Sequence, residues 1–222
     1  MNKSRRPQLI KKGAEASLYL ADWHDRRVVM KKRLPKQYRP SKMDENIRFY
    51  RTIHESQLMH EAKKAGVPTP TIFLVDVKDS TIVMEFVEGK QVKQLLPEVS
   101  KGERARICFR IGELIGRLHK AGIVHGDLTT SNMIQDSEGK IFIVDFGLGE
   151  INDELEAKGV DLHLMKRALQ STHFQFAKEC FDNVISGYSE VLGNDVTQCV
   201  LGKVAEIERR GRYVAERKLE TR

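Results

Sequence analysis

Cysteine is scarce in this 222-residue chain, and its placement excludes two kinds of small stabilised protein. The three cysteines, Cys108, Cys180 and Cys199, lie far apart, and no two of them form a Cys-x-x-Cys pair. Their odd number and wide spacing argue against a disulfide framework and against a zinc site. They favour a reducing compartment.

Long apolar runs are also missing. The first ten residues, MNKSRRPQLI, lack the apolar segment of a secretory signal, and no stretch approaches the length that spans a membrane. We therefore expect a cytoplasmic protein without a membrane partner. The chain has no internal repeat and no low-complexity tract, and its length suits one two-lobed unit or two small domains.

The charge balance is basic, with a formal net charge of +7. Such an excess favours a polyanionic partner, for example a nucleic acid or a nucleotide. A basic balance more often reflects a solubilised surface, so charge alone leaves both interpretations open.

The first third of the sequence is dense in strand signals. Residues 17–23 (SLYLADW) alternate between apolar and polar side chains, and residues 26–33 (RRVVMKKR) have a β-branched centre. The HDR between these two runs allows a tight reversal. Two further strand-like runs, at residues 71–77 and 81–87, complete this part of the chain.

A long helix is predicted between these strands, from about residue 44 to residue 65. Apolar residues recur there at roughly helical spacing, and Gly66 and Pro68 end the run. The apolar positions are Ile47, Tyr50, Ile53, Leu58 and Ala62.

The second part of the chain changes in character. An amphipathic helix is predicted from residue 103 to residue 121, where Gly122 ends it, and the residues after Glu150 have mainly helical patterns. The switch falls within MEFVEG, in which Gly89 is a candidate hinge.

These patterns predict an α+β fold with two lobes. We expect a strand-rich N-lobe with one long helix over residues 1–86, and a reduced helical C-lobe over residues 87–222.

Two polar loops carry the candidate chemistry. The stretch VHGDLTTSNMIQ contains Asp127 and Asn132, and Asp145 follows the apolar run Ile141–Val144 in IFIVDFGLG. Turn-forming residues alone account for the first loop, and the second acidic loop is what favours a site. Because Mg²⁺ prefers one or two carboxylates plus substrate phosphates, we predict Asn132 and Asp145 as metal ligands and Asp127 as the group that orients a nucleophile.

Lys31, in the predicted strand 26–33, is the candidate cation for nucleotide phosphates. Taken alone, it is more simply a solvated strand lysine; alternation places it on one face with Arg33. As a phosphate ligand it requires a carboxylate partner. The long helix offers Glu55, which borders the apolar face, and Glu61 is the alternative.

The candidate phosphate cover is the weakest motif. KKGAEASLYL connects two predicted strands, but it contains Gly13 alone where a strong glycine loop has three glycines. Gly13 and Ala14 are the backbone candidates for phosphate contact.

Taken in order, these parts resemble the protein-kinase-like superfamily. The chain is similar, more specifically, to the small kinase-like ATPase subunits of the KEOPS complex, which form an atypical Ser/Thr kinase family. The matching stretches are GAEAS (13–17), KKRLPKQYRP (31–40), RTIHES (51–56), AGVPTP (65–70), HGDLTTSN (125–132), VDFGLG (144–149) and KGVDLHLMKRALQSTH (158–173). They cover most of the chain in the family's order.

The resemblance implies Mg²⁺-dependent ATP binding and hydrolysis, with adenine against the backbone of Glu85 to Val87. It also implies autophosphorylation on Ser or Thr, and leaves open which of the two activities operates in the cell. As partners it implies the other KEOPS subunits, chiefly the threonylcarbamoyl-transferase subunit, and transfer RNA, whose adenosine next to the anticodon is modified.

Two further residues or segments have both a structural and a functional interpretation. Asp161 is expected to cap the start of a helix near Gly159. The resemblance assigns it instead a supporting contact to residues 125–132 (HGDLTTSN), which correspond to the catalytic loop of the family. The tail at residues 203–222 carries seven Lys or Arg and four Glu residues. It is either a helix with a solvated face or, as the resemblance implies, a segment associated with transfer RNA.

Features of a regulated protein kinase are missing. No Ala-Pro-Glu follows the Asp-Phe-Gly, and Gly126 replaces the arginine that pairs with a phosphorylated activation loop. We therefore expect no switch by activation-loop phosphorylation and no separate peptide groove. Two other functions remain as alternatives: a small-molecule kinase of the aminoglycoside-phosphotransferase type, and a catalytically silent scaffold.

Overall fold

Five antiparallel strands form the first sheet, in the order β1-β2-β3-β5-β4. The computed structural model describes residues 7–220, with side chains as far as Arg210. The strands are β1 (Gln8–Lys12), β2 (Ser17–Trp23), β3 (Arg26–Lys32), β4 (Ile72–Asp76) and β5 (Thr81–Glu85). The turn between β2 and β3 places His24 and Asp25 at φ 47° and 59°, the left-handed backbone that two-residue hairpin turns of this kind require.

Helix α1 (Ser41–Lys64) packs beside this sheet, and its buried face differs from the predicted one. Tyr50, expected among the apolar contacts, is 69% exposed, whereas Thr52 and Glu55 are buried with Leu58. The reason is that the sheet presents buried cationic side chains to this helix. Polar partners therefore occupy part of the inward face.

Short elements connect the sheet to the helical part. They are β6 (Gly89–Gln91), α2 (Val92–Leu95), β7 (Ile123–Val124), β8 (Met133–Asp136), β9 (Ile141–Ile143) and β10 (Glu150–Ile151). Gly89 pairs with Asp136, and a Cβ at Gly89 would lie 2.2 Å from the Gln135 carbonyl oxygen. Close backbone approach therefore explains this glycine. The division into lobes at residues 86 and 87 stays a prediction.

Four longer helices build the second half: α3 (Lys101–Lys120), α4 (Leu155–Thr172), α5 (Ala177–Leu192) and α6 (Asn194–Glu220). Ser100 caps α3 by accepting the Glu103 N–H at 3.2 Å. Helix α4 begins earlier than expected, so Asp161 lies inside it, and the prediction that Asp161 caps its start was wrong.

One apolar core runs through the molecule. It includes Ile82 of β5, Leu58 of α1, Ile115 of α3, Val184 of α5 and the loop residue Phe146. This continuity holds the sheet, α1 and the helical half together, and the mixed architecture confirms the expected α+β fold class. Among the residues described, no helix combines the length and the apolar character needed to cross a membrane.

Candidate active site

Lys31 lies in the middle of the site, on β3, where the register pairs it with Leu18 on one side and Ile82 on the other. Its side chain is buried, and its Nζ donates to Glu55 Oε1 and to Asp145 Oδ1, each at 2.6 Å. Lys31 is therefore a buried, doubly paired ammonium group. The simpler interpretation of a solvated strand lysine does not apply.

Of the two carboxylates considered on α1, Glu55 contacts Lys31. Glu55 shares the inward face of the helix with Thr52 and Met59, because residues three or four apart lie on the same side. Glu61 points outward, with a side chain 45% exposed, and pairs with Lys64 at 3.0 Å.

Arg33 is a buried part of this cluster that the motif search missed. Its Nη2 donates to Glu55 Oε2 and its Nη1 to Thr52 Oγ1 at 3.4 Å. The signal was present in the sequence, because strand alternation already placed Lys31 and Arg33 on one face. Glu55 thus neutralises two cations, and two of the four charged groups in the cluster are anions once Asp145 is included.

The catalytic loop is held by Asp161 of α4. Its Oδ2 accepts the His125 N–H at 2.6 Å and its Oδ1 accepts the Gly126 N–H at 2.8 Å. His119 Nε2 lies 3.3 Å from the same carboxylate, and its Nδ1 lies 2.8 Å from the Tyr188 hydroxyl. A buried carboxylate with this many partners fixes the backbone that leads into Asp127.

His125 connects this loop to the strand before Asp145. Its Nδ1 accepts the Asp127 N–H at 3.3 Å, so the proton is on Nε2, which donates to the Val144 carbonyl at 3.1 Å. Burial lowers the pKa of His125 below the ordinary value of 6.5 and keeps the imidazole neutral. The ring therefore acts as a neutral hydrogen-bonded brace.

Gly126 is required by its surroundings. Its φ is +76°, and a Cβ there would lie 2.2 Å from the Leu148 carbonyl oxygen. The segment after Asp-Phe-Gly crosses so close to Gly126 that no side chain fits. The backbone at Leu148 therefore occupies the space that an arginine side chain at position 126 would need.

Asp127 and Asn132 lie against each other. Asn132 Nδ2 donates to the Asp127 backbone oxygen at 3.0 Å and to Asp127 Oδ2 at 2.8 Å. Since the amide nitrogen faces Asp127, the amide oxygen Oδ1 is turned away from it. An acceptor oxygen is what a hard divalent cation binds.

Asp145 follows β9 with φ 68°, a left-handed backbone that is strained for a residue other than glycine. Burial by itself raises the pKa of its carboxyl, but the charge and hydrogen bond of Lys31 outweigh burial and hold the pKa below the ordinary 3.8. Asp145 is therefore ionised at neutral pH, and its side chain is 45% exposed toward the cleft.

Two adjoining cavities of about 340 Å³ and 210 Å³ share Lys11, Leu18, Lys31 and Asp145 in their walls. The larger one is mainly bounded by charged groups and by the turn that contains Gly13 and Ala14. The smaller one has apolar walls and a backbone edge, formed by Val29, Met84, Glu85, Phe86, Val87, Ile134 and Val144 among others. The pair has the shape and polarity for a flat apolar ring joined to an anionic tail.

The residues present fit Mg²⁺ bound together with a phosphorylated substrate. In the part of the chain that the structure describes, no group of three or more His, Cys, Asp or Glu side chains is placed to hold a metal by itself. Asn132 and Asp145 supply two oxygen donors, and Mg²⁺ commonly takes such a small protein set plus phosphate oxygens and water.

Arg210 of the basic tail pairs with Glu156 of α4, and Lys166 of α4 pairs with Glu208 at 2.7 Å. The tail is helical as far as Glu220. The side chains of residues 211–222, which belong to the tail that the resemblance associates with transfer RNA, lie outside the described part of the chain.

Comparisons with known proteins agree with this geometry. The protein kinase domain family matches residues 6–175. The KEOPS complex subunit Bud32 of Pyrococcus abyssi is 47% identical over 212 residues, which cover 93% of this chain and 96% of that protein. Two relatives, from Methanothermobacter thermautotrophicus and Methanocaldococcus jannaschii, are probable bifunctional tRNA threonylcarbamoyladenosine biosynthesis proteins.

These two are 44% and 39% identical to the chain, with 93% of it aligned in each case. The chain spans 37% of the length of each. Over most of its length it therefore corresponds to a whole Bud32 subunit and to one part of the bifunctional proteins. The chain belongs to the protein kinase domain family and, within it, to the family of KEOPS complex Bud32 subunits.

Proposed function

We propose that this protein is a Mg²⁺-dependent ATP-binding and ATP-hydrolysing kinase-like subunit that supports threonylcarbamoyladenosine modification of transfer RNA within a KEOPS complex. The carrying observation is the buried contact of Lys31 with both Glu55 and Asp145, next to the pair formed by Asp127 and Asn132. The names of the relatives support the transfer-RNA role and a partnership with other KEOPS subunits. The proposal takes the threonylcarbamoyl-transferase subunit as the chief partner.

Each residue has one task in this proposal. The apolar cavity takes adenine, with the backbone of Glu85 and Val87 at its edge. Lys31, held by Glu55, binds phosphate oxygens, and the Gly13–Ala14 turn covers them. These contacts place the phosphates beside the catalytic loop.

Asn132 and Asp145 are the proposed metal ligands. Mg²⁺, when bound, neutralises phosphate charge as the terminal phosphoryl group leaves. Asp127 orients the attacking water or hydroxyl, because its carboxylate faces the same cavity and Asn132 fixes its direction. Phosphoryl transfer requires positioning and charge neutralisation more than covalent participation, and this site provides both.

The test is Mg²⁺-dependent ATP turnover by the purified protein, with and without its partner subunit and transfer RNA. Asp127→Ala and Asp145→Ala are expected to lower turnover by about a hundredfold or more, as loss of a positioned acid–base group or of a charge-stabilising group does. Both variants keep the parent's circular dichroism. Asp182→Ala, at an exposed carboxylate on α5, is the control and retains parent turnover.

Turnover near the parent's level in either site variant contradicts the mechanism. If the wild-type protein neither binds nor hydrolyses ATP in the assembled complex, the protein is a catalytically silent scaffold. Transfer of phosphate to an aminoglycoside-like hydroxyl compound, without any effect of partner or transfer RNA, identifies a small-molecule kinase.

The basic tail at residues 203–222 is the proposed transfer-RNA contact. Truncation after Arg210 keeps the ion pairs with α4 and removes four Lys or Arg residues. We expect it to weaken transfer-RNA binding by the assembled complex roughly tenfold at low salt and to reduce the salt dependence. ATP turnover without transfer RNA serves as the control, and unchanged transfer-RNA affinity contradicts the assignment.

A further inference from the structure

The turn at residues 13–16 lies at the wall of the larger cavity. Cationic side chains hold this turn in place, and it contains one glycine where a glycine-rich loop has several. The Gly13 N–H donates to the Ala16 carbonyl at 2.9 Å, which closes the turn. Lys36 Nζ donates to the Ala14 carbonyl, and Glu15 is paired to arginines. The turn therefore depends on the charge of its neighbours.

Glu15 places a carboxylate in the wall of the larger cavity. Its Oε2 lies 2.5 Å from Arg51 Nη1 and its Oε1 lies 3.5 Å from Arg39 Nη2. The Glu15 side chain is 42% exposed, so water reaches this pair. An ion pair of this exposure contributes little net stability and is readily exchanged for another anion.

Arg51 lies one helical turn before Glu55 on α1, so both side chains project from the same side of the helix. Arg51 also forms part of the cavity wall, near Lys31 and Arg33. Within the described part of the chain, Glu15 is its sole ion-pair partner. Lys31 and Arg33, by contrast, both pair with the buried carboxylate of Glu55.

Arg39 differs from Arg51 although both contact Glu15. Arg39 has a second carboxylate partner, Asp44, at 3.5 Å. It does not belong to the cavity wall. Loss of Glu15 from Arg39 therefore leaves that arginine paired, whereas loss of Glu15 from Arg51 leaves a guanidinium that faces the cavity without a partner.

The charges of the cavity wall favour a multiply charged anion. Four cationic side chains, Lys11, Lys31, Arg33 and Arg51, stand with three acidic ones, Glu15, Asp127 and Asp145. Guanidinium binds phosphate and carboxylate alike through paired, charge-assisted hydrogen bonds, and the higher negative charge of terminal phosphates attracts it more strongly than one half-exposed carboxylate does. A phosphate group in the cavity competes with Glu15 for Arg51.

We propose that Arg51 binds the terminal phosphates of the nucleotide, and that Glu15 is an internal anion that holds this guanidinium until phosphate replaces it. The proposal rests on the proposed function, because it assigns one more phosphate ligand in the same site. ATP then binds more tightly than AMP because its β- and γ-phosphates contact Arg51. Glu15 reduces this gain in affinity, because it competes with the phosphates for Arg51.

Calorimetric titration with AMP and with ATP at fixed Mg²⁺ tests this exchange. We expect Arg51→Gln to weaken ATP binding about tenfold, the loss of a charge-assisted contact, and to leave AMP binding within about twofold. Glu15→Gln is expected to tighten ATP binding about threefold, as removal of a half-exposed competing pair does, and to leave AMP binding unchanged. In the double variant, the gain from Glu15→Gln disappears because Arg51 is absent.

Arg39→Gln is the matched control, since it removes the other arginine at Glu15 without changing the cavity wall. Its ATP and AMP affinities are expected to stay within about twofold of the parent. Equal losses for AMP and ATP in Arg51→Gln overturn the proposal, because they indicate a structural role. A gain from Glu15→Gln that persists without Arg51 also overturns it.

The same titrations distinguish failure of the proposed function from failure of the Arg51 assignment. If the parent binds neither AMP nor ATP, the nucleotide site itself is wrong and the inference falls with it. If the parent binds ATP and AMP but Arg51→Gln binds both as the parent does, the inference alone is wrong.

Discussion

Two buried cations share the Glu55 carboxylate, and this pairing sets the energetics of the site at the scale of single residues. Lys31 and Arg33 are 5% and 3% exposed, and Glu55 is 1% exposed. A buried charge without its partner is far more costly than the intact pair is stabilising. Glu55 is therefore needed for folding as well as for the orientation of Lys31.

Replacement of Glu55 by alanine tests this role. We expect Glu55→Ala to lower the free energy of unfolding by about 3–5 kcal/mol, the cost of breaking a buried ion pair, as measured by urea denaturation. Glu61→Ala on the same helix is the matched control. Its exposed pair with Lys64 contributes at most about 1 kcal/mol.

Equal small effects in the two variants contradict the assignment of Glu55 as the buried anchor. An equally large loss in both variants contradicts the exposed position of Glu61 instead.

At the scale of elements, α3 and α5 pack against each other through glycines. A Cβ at Gly112 would lie 1.9 Å from the Val184 carbonyl oxygen, and one at Gly187 would lie 1.9 Å from the Phe109 carbonyl oxygen. The two helix backbones are therefore in direct contact at these points. Because α3 leads into the catalytic loop, this spacing helps to place the site.

Gly112→Ala is expected to push the two helices apart and to lower the free energy of unfolding by about 2–3 kcal/mol, a typical cost of overpacking. Thermal or urea unfolding measures it. Gly102→Ala on the same helix is the control, because nothing lies within 4 Å of its added Cβ. It should be neutral or stabilise by up to about 1 kcal/mol through helix propensity.

A Gly112→Ala variant as stable as the Gly102→Ala variant contradicts direct backbone contact between the two helices. Crystallographic or spectroscopic evidence of unchanged helix spacing in a folded variant does so as well.

At the scale of the whole molecule, buried imidazoles connect folding to pH. Burial is the largest cause that lowers the pKa of His125, His163 and His173 below the ordinary value of 6.5. They lie in the catalytic loop, in α4 and between α4 and α5, and His163 is half-buried whereas the other two are buried. The folded state keeps them neutral at pH values where the unfolded chain takes up protons.

Stability is therefore expected to fall as the pH decreases through 6.5 toward 5. The unfolded state binds the additional protons in this range, so the free energy of unfolding falls by up to about 1.4 kcal/mol per pH unit for each histidine. Urea denaturation at about pH 7.5, 6.5 and 5.5 measures how the free energy of unfolding changes with pH.

His163→Gln removes one of the three groups and is expected to flatten the slope. Stability that rises between pH 6.5 and 5.5, or a slope that His163→Gln leaves unchanged, contradicts the linkage.

Local patterns in the sequence were enough for the element types, and the order of the motifs carried the resemblance to the kinase-like family. Alternation, helical periodicity and the order of the two polar loops depend on neighbours along the chain, so they can be recognised without tertiary information. The predicted hairpin at His24 and Asp25 and the predicted helix 103–121 correspond to elements of the structure, with ends shifted by a few residues.

Contacts between distant parts of the chain were decided by the tertiary structure. Periodicity favoured Glu55 but left Glu61 as an alternative, because the inward face of α1 is set by Lys31 and Arg33 on a separate part of the chain. For the same reason the local pattern predicted Asp161 as a helix cap, whereas its carboxylate binds the catalytic-loop backbone from inside α4, the contact that the family resemblance implied.

The sequence by itself determined the α+β class and the residue types that phosphoryl transfer requires through its local patterns, and the family through the resemblance of its motifs. Only the tertiary structure decided which carboxylate holds Lys31, why position 126 is glycine, and that Glu15 meets Arg51 at the cavity wall. The physical reason is that burial and charge pairing depend on groups far apart in the chain, whose distance the fold alone defines.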